Sequence, residues 1–366
     1  MDPRYAVDAE IARASTLPCA FYRDDAAWEA ARARVFARTW QWLGDLDDVA
    51  APQSLSPRDL LPGLLDEPLL LARDDAGTLR CLSNVCTHRG NILVREPGRA
   101  AQIRCGYHSR RFDLSGRMTF MPGFEGAQDF PSPADDLPAV ALEPWAAFAF
   151  ASLDPAAPFA SFAGDVAAGL AAMPLASLAR DRTRDREYEV RAHWALYVEN
   201  YLEGLHIPLV HPGLDAALDG GGCATTLHRL SSVQVARARN EADAFPASIA
   251  GGEGVAAYYA WVFPNLMINA YPWGLSINLV LPQSQERTRI LFRSYVWDPA
   301  RVDRGAGGAL DRVEREDEAI VEAVQRGVRS RMFRQGRYAP MHEQGVHHFH
   351  RLLCAFLATP PGAALA

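Results

Sequence analysis

Two short couples, Cys86-Thr87-His88 and Cys105-Gly106-Tyr107-His108, are separated by sixteen residues and oblige two loops of this chain to meet. Each couple offers one thiolate and one imidazole. A C-x-H…C-x-x-H set of this kind can hold a [2Fe–2S] cluster with both cysteines on one iron and both histidines on the other. Two cysteines and two histidines also satisfy tetrahedral zinc, but zinc modules usually pair like with like, C-x₂-C and then H-x₃-H. The mixed couples favour iron, with the imidazoles on the outer, more exposed metal. The surrounding texture is that of β structure. From about 43 to 150, apolar runs such as EPLLLARDDAGTLRCL and IRCGYHSRRFDLSGRM are broken by Asp-Asp-Ala-Gly and Asp-Leu-Ser-Gly turn signals. A compact β domain with the couples at its loops is expected there.

A second constellation lies in VENYLEGLHIPLVHPG (198–213), which carries Glu203, His206 and His211. Glu203 and His206 share a helical face. A regular helix would set His206 and His211 well apart around its axis, but Pro208 between them forces a kink that brings both imidazoles toward one metal. Two unrelated histidines on a broken helix, or a zinc hydrolase, are the competing readings. A ferrous site that activates O₂ needs one carboxylate more and open positions. In LDRVEREDEAIVEAVQRGV (310–328), Val313, Ile320, Val321, Val324 and Val328 define an apolar stripe with Asp317 at its centre. Glu314, Glu318 and Glu322 project to the polar side and Glu316 sits on a flank. A carboxylate on a buried face is costly unless paired or metal-bound, which makes Asp317 the expected third ligand.

At 366 residues, two domains are the default. A net charge of −7 argues against nucleic acid or an anionic membrane as partner. The N-terminal MDPRYAVDAEIARAS has no apolar core and no window approaches a membrane span, so a cytoplasmic protein is expected. Cys19, Cys81, Cys223 and Cys354 read as small buried hydrophobes. Residues 24–42 have helical period and form an N-terminal helix; 1–42 should pack on the catalytic domain, 43–150 form the cluster domain and 151–366 the catalytic domain. DPAAPFASFAGD (154–165) marks the boundary, ERTRILFRSYVW (286–297) is a strand, and a helix covers 308–331.

Three motifs, CTHRG followed by CGYH, ENYLEGLHIPLVHP, and EDEAIVEAVQRGVRS, resemble the catalytic α subunit of a Rieske non-haem iron oxygenase of the ring-hydroxylating type, over nearly the whole length. The resemblance implies an α+β protein, with a small all-β Rieske domain and a helix-grip (START-like) catalytic domain of antiparallel sheet over a long helix. It implies cluster ligands Cys86, His88, Cys105 and His108 and iron ligands His206, His211 and Asp317. It also implies a bridging carboxylate at Glu203 between an iron histidine of one subunit and a cluster histidine of its neighbour, hence a homotrimer. An NAD(P)H-dependent reductase of flavin or ferredoxin type would supply electrons, and O₂ and a small organic substrate would complete the reaction. Two departures stand out. Many members read CPYHGW where this chain has CGYHSRR, with Ser109 and Arg110 replacing Gly-Trp. The bridge is usually Asp, and Glu203 resembles the branch acting on carnitine and glycine betaine, which tilts the expected chemistry to mono-oxygenation or demethylation rather than cis-dihydroxylation. A pure electron carrier would leave residues 151–366 without a purpose.

Weaker signals remain. Asn200, one turn ahead of Glu203, is expected to support the bridge or line the pocket. His342, His347, His348 and His350 belong to a C-terminal helix whose Phe349, Leu352, Leu353 and Phe356 face inward. His193 and His228 read as ordinary hydrogen-bonded histidines. Tyr259, Trp261 and Phe263 alternate onto one strand face, suited to sheet core or to a cation–π cage.

Overall fold

A computed structural model describes residues 5–219, 224–246, 249 and 254–365, so Cys223 lies outside the described residues. The chain divides into two compact units. One is Trp40–Pro155; the other combines the N-terminal segment through Thr39 with everything from Ala156 onward.

The Trp40–Pro155 unit is β throughout. Its strands are β1 (Gln41–Asp45), β2 (Ser54–Leu60), β3 (Glu67–Arg73), β4 (Leu79–Ser83), β5 (Gly98–Arg99), β6 (Ile103–Arg104), β7 (Arg111–Phe112), β8 (Met118–Phe120), β9 (Ala139–Trp145) and β10 (Phe148–Ser152). Seven form an antiparallel sheet in the order β1-β10-β9-β4-β3-β2-β5, and β6-β7-β8 form a second. The turn signals act as expected. Asp113 Oδ1 accepts the backbone N–H groups of Ser115 and Arg117, and Gly116 takes φ +92° where an added Cβ would meet Leu82 and Leu137. Cys86 and Cys105 sit in the unit's core with Leu70, Leu82, Ile103 and Phe112.

The larger unit holds the helices α1 (Asp25–Arg34), α2 (Phe159–Leu170), α3 (Trp194–Tyr201), α4 (Ile207–Val210), α5 (Pro212–Ala217), α6 (Leu310–Gly327) and α7 (Gln344–Ala358). Its strands are β11 (Ala179–Arg180), β12 (Arg186–Val190), β13 (Ala224–Leu227), β14 (Ser231–Arg237), β15 (Val255–Val262), β16 (Leu266–Tyr271), β17 (Gly274–Ser284) and β18 (Arg287–Val296). They form an antiparallel sheet in the order β11-β18-β17-β16-β15-β14-β13, with β12 also on β18. Trp194 of α3 and Trp261 of β15 both pack edge-on to Phe349 of α7, and Phe263 stacks near Phe356. Helices over antiparallel sheet is the arrangement the sequence led us to expect. Gly345 at the start of α7 lets that helix reach the C-terminal end of α3: a Cβ there would lie 2.5 Å from the Leu202 carbonyl oxygen.

Two expectations are corrected. The N-terminal helix stops at Arg34, not near 42. Val35 and Phe36 turn into the core, and Thr39 Oγ1 closes the end by donating to the Val35 carbonyl at 2.9 Å. The chain then extends as β1, which suits Trp40 and Trp42. The Pro/Ala-rich stretch 154–165 contains the division between the two units, between Pro155 and Ala156, and the start of α2, which begins directly after Pro158 and buries Phe162, Ala163 and Val166. On α6 the buried stripe is rotated from the one hydrophobicity suggests. Glu314, Val321, Gln325 and Val328 are buried, whereas Ile320 and Val324 are 39% and 43% exposed. Hydrogen bonds set that face: Tyr197 of α3 donates to Glu314 Oε2 at 2.6 Å, and Gln325 Oε1 accepts the His193 N–H at 2.9 Å.

Candidate metal centres and substrate cavity

The cluster couples emerge from the β core onto two loops. The cysteines are buried and the histidines half-buried, so the thiols lie inside and the imidazoles outside. The His88 and His108 ring centroids are 4.8 Å apart. Burial pushes the Cys105 thiol up, but backbone N–H groups of Tyr107 and His108 and the Asn91 amide outweigh it and hold it below its ordinary value. The Tyr107 N–H lies 3.4 Å and Asn91 Nδ2 3.6 Å from its sulfur. Such donors stabilise thiolate charge and raise the potential of an iron–sulfur centre. His108 Nδ1 is buried without a hydrogen-bond partner, as suits an atom that would ligate a metal. Arg110, the departure noted above, is 2% exposed, donates to Asp135 Oδ1 and lies over the Phe112 and Phe130 rings. The Asp135 carbonyl in turn accepts the Thr87 hydroxyl at 2.6 Å, so Arg110 and Asp135 tie the two cluster loops together.

In the larger unit, α3 ends at Tyr201 and the chain turns through Glu203 into α4 and α5, broken at His211. Among the described residues, His206, His211 and Asp317 form the one group of three ligand-type side chains whose donor atoms all lie within 4.8 Å of one another. His206 Nε2 lies 3.5 Å and His211 Nε2 2.9 Å from Asp317 Oδ1. Each histidine turns its other nitrogen to a second carboxylate. His206 Nδ1 is 2.6 Å from Glu203 Oε1, and His211 Nδ1 is 2.8 Å from Glu316 Oε2. Two imidazoles and one carboxylate, each imidazole oriented from behind, suit ferrous iron with coordination positions left open. Asn200 Nδ2 donates to Asp317 Oδ1 at 2.6 Å. Burial pushes the His206 imidazole down, yet the Asp317 and Glu203 carboxylates outweigh it and raise it to about 9. The negative field that favours imidazolium there favours a bound divalent cation equally.

A cavity of about 790 Å³, counting its open mouth, adjoins the triad. Tyr197, Tyr201, Tyr259, Tyr271 and Phe292 wall it, with Asn200, Gln234, Asn269 and Asn278 as amides and Glu203, Glu314 and Asp317 as acids. Among the described residues neither Lys nor Arg lines it. The one-face alternation of β15 therefore divides its labour: Tyr259 lines the cavity, while Trp261 and Phe263 are fully buried against α7.

Comparison with known proteins matches this architecture. Residues 177–359 match the family described as Ring hydroxylating alpha subunit (catalytic domain), and residues 40–131 match the Rieske [2Fe-2S] domain. Choline monooxygenase, chloroplastic, of Arabidopsis thaliana is 31% identical over 375 residues, covering 96% of this chain and 84% of the relative. The chain belongs to the ring-hydroxylating alpha subunit family. The carnitine monooxygenase oxygenase subunit of Escherichia coli K12 is 29% identical, with 92% of each chain covered. Among solved structures, the quaternary ammonium Rieske monooxygenase CntA superposes with a TM-score of 0.77 at 24% identity, covering 96% of this chain and 99% of CntA. Naphthalene 1,2-dioxygenase from Rhodococcus sp. gives 0.72 at 17%, covering 94% and 95%.

As a Rieske non-haem iron oxygenase, the protein carries a [2Fe–2S] cluster and a mononuclear iron, and works as the oxygenase subunit of a system in which a reductase supplies electrons. Among the described residues no helix is long and apolar enough to cross a membrane. The C-terminal histidines do not gather: His347 Nε2 is 2.8 Å from the Asp8 carbonyl and His350 Nδ1 is 2.6 Å from the Tyr338 hydroxyl. His193 Nδ1 accepts the Ala195 N–H as a helix cap. Three participants escaped the sequence reading. Glu314 was placed on the polar face but lines the cavity; Glu316 proves to orient His211; Tyr271 was not singled out. A search of α6 for carboxylates at i and i+3 around Asp317 would have found the first.

Proposed function

We propose that this oxygenase hydroxylates or oxidatively demethylates a small quaternary ammonium compound. One observation carries the reading: a cavity of aromatic rings, amides and carboxyl groups, with neither Lys nor Arg among the described residues that line it, adjoins the His206–His211–Asp317 triad. Aromatic faces and acids attract a trimethylammonium group, and a basic lining would repel it. Relatives named for choline and carnitine support the same class.

In this reading Cys86, His88, Cys105 and His108 hold the cluster, and His206, His211 and Asp317 hold the iron. Bound there, cluster and iron supply stored electrons and O₂ activation respectively. The chain's own residues do the rest. Glu203 Oε1 keeps the His206 ring in register, while its Oε2 accepts the backbone N–H groups of Leu205 and His206. That side chain is 16% exposed, so Glu203 is open to a cluster histidine of a neighbouring subunit, the bridging role that a homotrimer would use. Asn200 fixes the rotamer of Asp317, and Tyr201, held by Asn269 Oδ1 at 2.6 Å, keeps the cavity wall rigid. Hydroxylation at an N-methyl group gives a carbinol beside nitrogen, which collapses to formaldehyde and the demethylated amine. The reductase is of the NAD(P)H-dependent flavin or ferredoxin type, and the free buried cysteines suit a reducing cytoplasm.

The test supplies the purified, metal-loaded protein with a surrogate reductase, NADH and O₂. Choline, carnitine, glycine betaine and naphthalene are offered in turn, and products are identified by mass spectrometry. An oxidised or demethylated amine is expected; a cis-diol from naphthalene, with every amine untouched, would overturn the reading.

A further inference from the structure

Among the described acids that line the cavity, Glu314 is the one with no contact to the triad. Its side chain lines the cavity and is 3% exposed. One oxygen, Oε2, accepts the Tyr197 hydroxyl at 2.6 Å; the other, Oε1, is buried and has no hydrogen-bond partner. A buried carboxyl oxygen without a partner costs free energy unless a ligand completes it. Its charged neighbours do not complete it. Asp317 and Glu318 repel its negative charge, and the nearest cation, Arg315, is turned to Glu318 at 3.0 Å and lies over the Tyr188 ring. The side chain therefore presents an oxygen suited to positive charge between aromatic walls. Burial, the largest influence, pushes its carboxyl up to about 8, so the site resists ionisation until a cation arrives.

We propose that Glu314 is the specificity-determining residue for substrate charge: its Oε1 faces the cationic nitrogen, while Tyr259, Tyr271 and Phe292 surround the methyl groups. This rests on the quaternary ammonium reading above and adds to it the residue that reads the charge. Tyr197 positions the carboxylate by holding Oε2. A neutral substrate of the same shape gains from the rings but not from Glu314, so the residue acts on discrimination and not on the chemistry at the triad.

The experiment compares wild type, Glu314→Gln and Glu314→Asp, all loaded with cluster and iron. Each is given choline and the carbon analogue in which a tert-butyl group replaces trimethylammonium, and glycine betaine with its own tert-butyl analogue. Calorimetric Kd and steady-state kcat/KM are measured for each pair. Removing one partner of a buried charge pair weakens binding by about a hundredfold. Glu314→Gln should lose about that factor for the cation, mostly in KM, and change less than about threefold for the tert-butyl compound; Glu314→Asp should keep the preference for charge. An unchanged cation-to-neutral ratio in Glu314→Gln, or equal losses for both members of a pair, overturns the proposal while the functional reading stands. Wild type that handles no quaternary ammonium compound overturns the functional reading and this inference with it.

Discussion

Replacing Glu314 with Gln should make the protein less sensitive to alkaline pH, and the size of the effect follows from its burial. The Glu314 carboxyl rises from an ordinary 4.5 to about 8, because burial opposes ionisation and Asp317 and Glu318 add repulsion that the Tyr197 hydroxyl only partly offsets. Between those values the folded state holds a proton that the unfolded chain has released. The stability this carboxyl provides is complete below 4.5 and is lost as pH climbs through 8. At 1.36 kcal/mol per pH unit, the loss between pH 5 and pH 8 is roughly 3–4 kcal/mol. A Gln of the same shape cannot titrate, and all other groups are shared, so the difference between variant and wild type isolates this one proton. For a unit of this size, that amounts to a melting-point gap that grows by roughly 6–16 °C in favour of Glu314→Gln from pH 5 to pH 8. The assay is thermal unfolding of the catalytic unit, with the mononuclear metal stripped by chelator because a bound cation at Asp317 would lower the Glu314 value. Reloading ferrous ion should shrink the gap. A gap that stays constant with pH would show that Glu314 is already ionised in the folded state and would refute the reasoning.

Two further outcomes are expected at the metal sites. Asp317→Ala removes the atom on which both Nε2 groups converge, so mononuclear iron and turnover should be lost while the visible and EPR spectra of the cluster persist; retained iron, measured by elemental analysis, would exclude Asp317 as a ligand. Glu316→Gln leaves the ligands in place but weakens the anchor behind His211, and ferrous ion affinity should fall by about 10–100-fold, read by competition with a chelator.

The fold class, and the residues that gather at each candidate metal centre, were legible because metal chemistry restricts residue type and spacing so tightly. Cys86, His88, Cys105 and His108 are a pattern that few folds use, and Pro208 explained how His206 and His211 could meet. What escaped was governed by polar contact. The α6 stripe was read from Val313, Ile320 and Val324, yet the helix turns Glu314 and Gln325 inward because Tyr197 and the His193 backbone receive them there. Hydropathy treats such residues as surface, so a face held by hydrogen bonds is invisible to it. The early end of α1 had the same cause, since Thr39 completes a carbonyl that periodicity alone would have passed to another turn.

The triad draws its members from two unequal supports. Asp317 stands in the middle of α6, eighteen residues of continuous helix, whereas His206 and His211 flank the four residues of α4. A helix of one turn has almost no stability of its own. Iron bound at this site would therefore act as a staple, and part of its binding energy would go into holding the segment from Glu203 to Ala217 against α6. Metallation and local order become one equilibrium. Substitutions at residues that never touch the metal, such as the exposed Leu209, then tune how firmly the enzyme keeps its iron, and iron starvation would be felt first as loosening of the cavity wall.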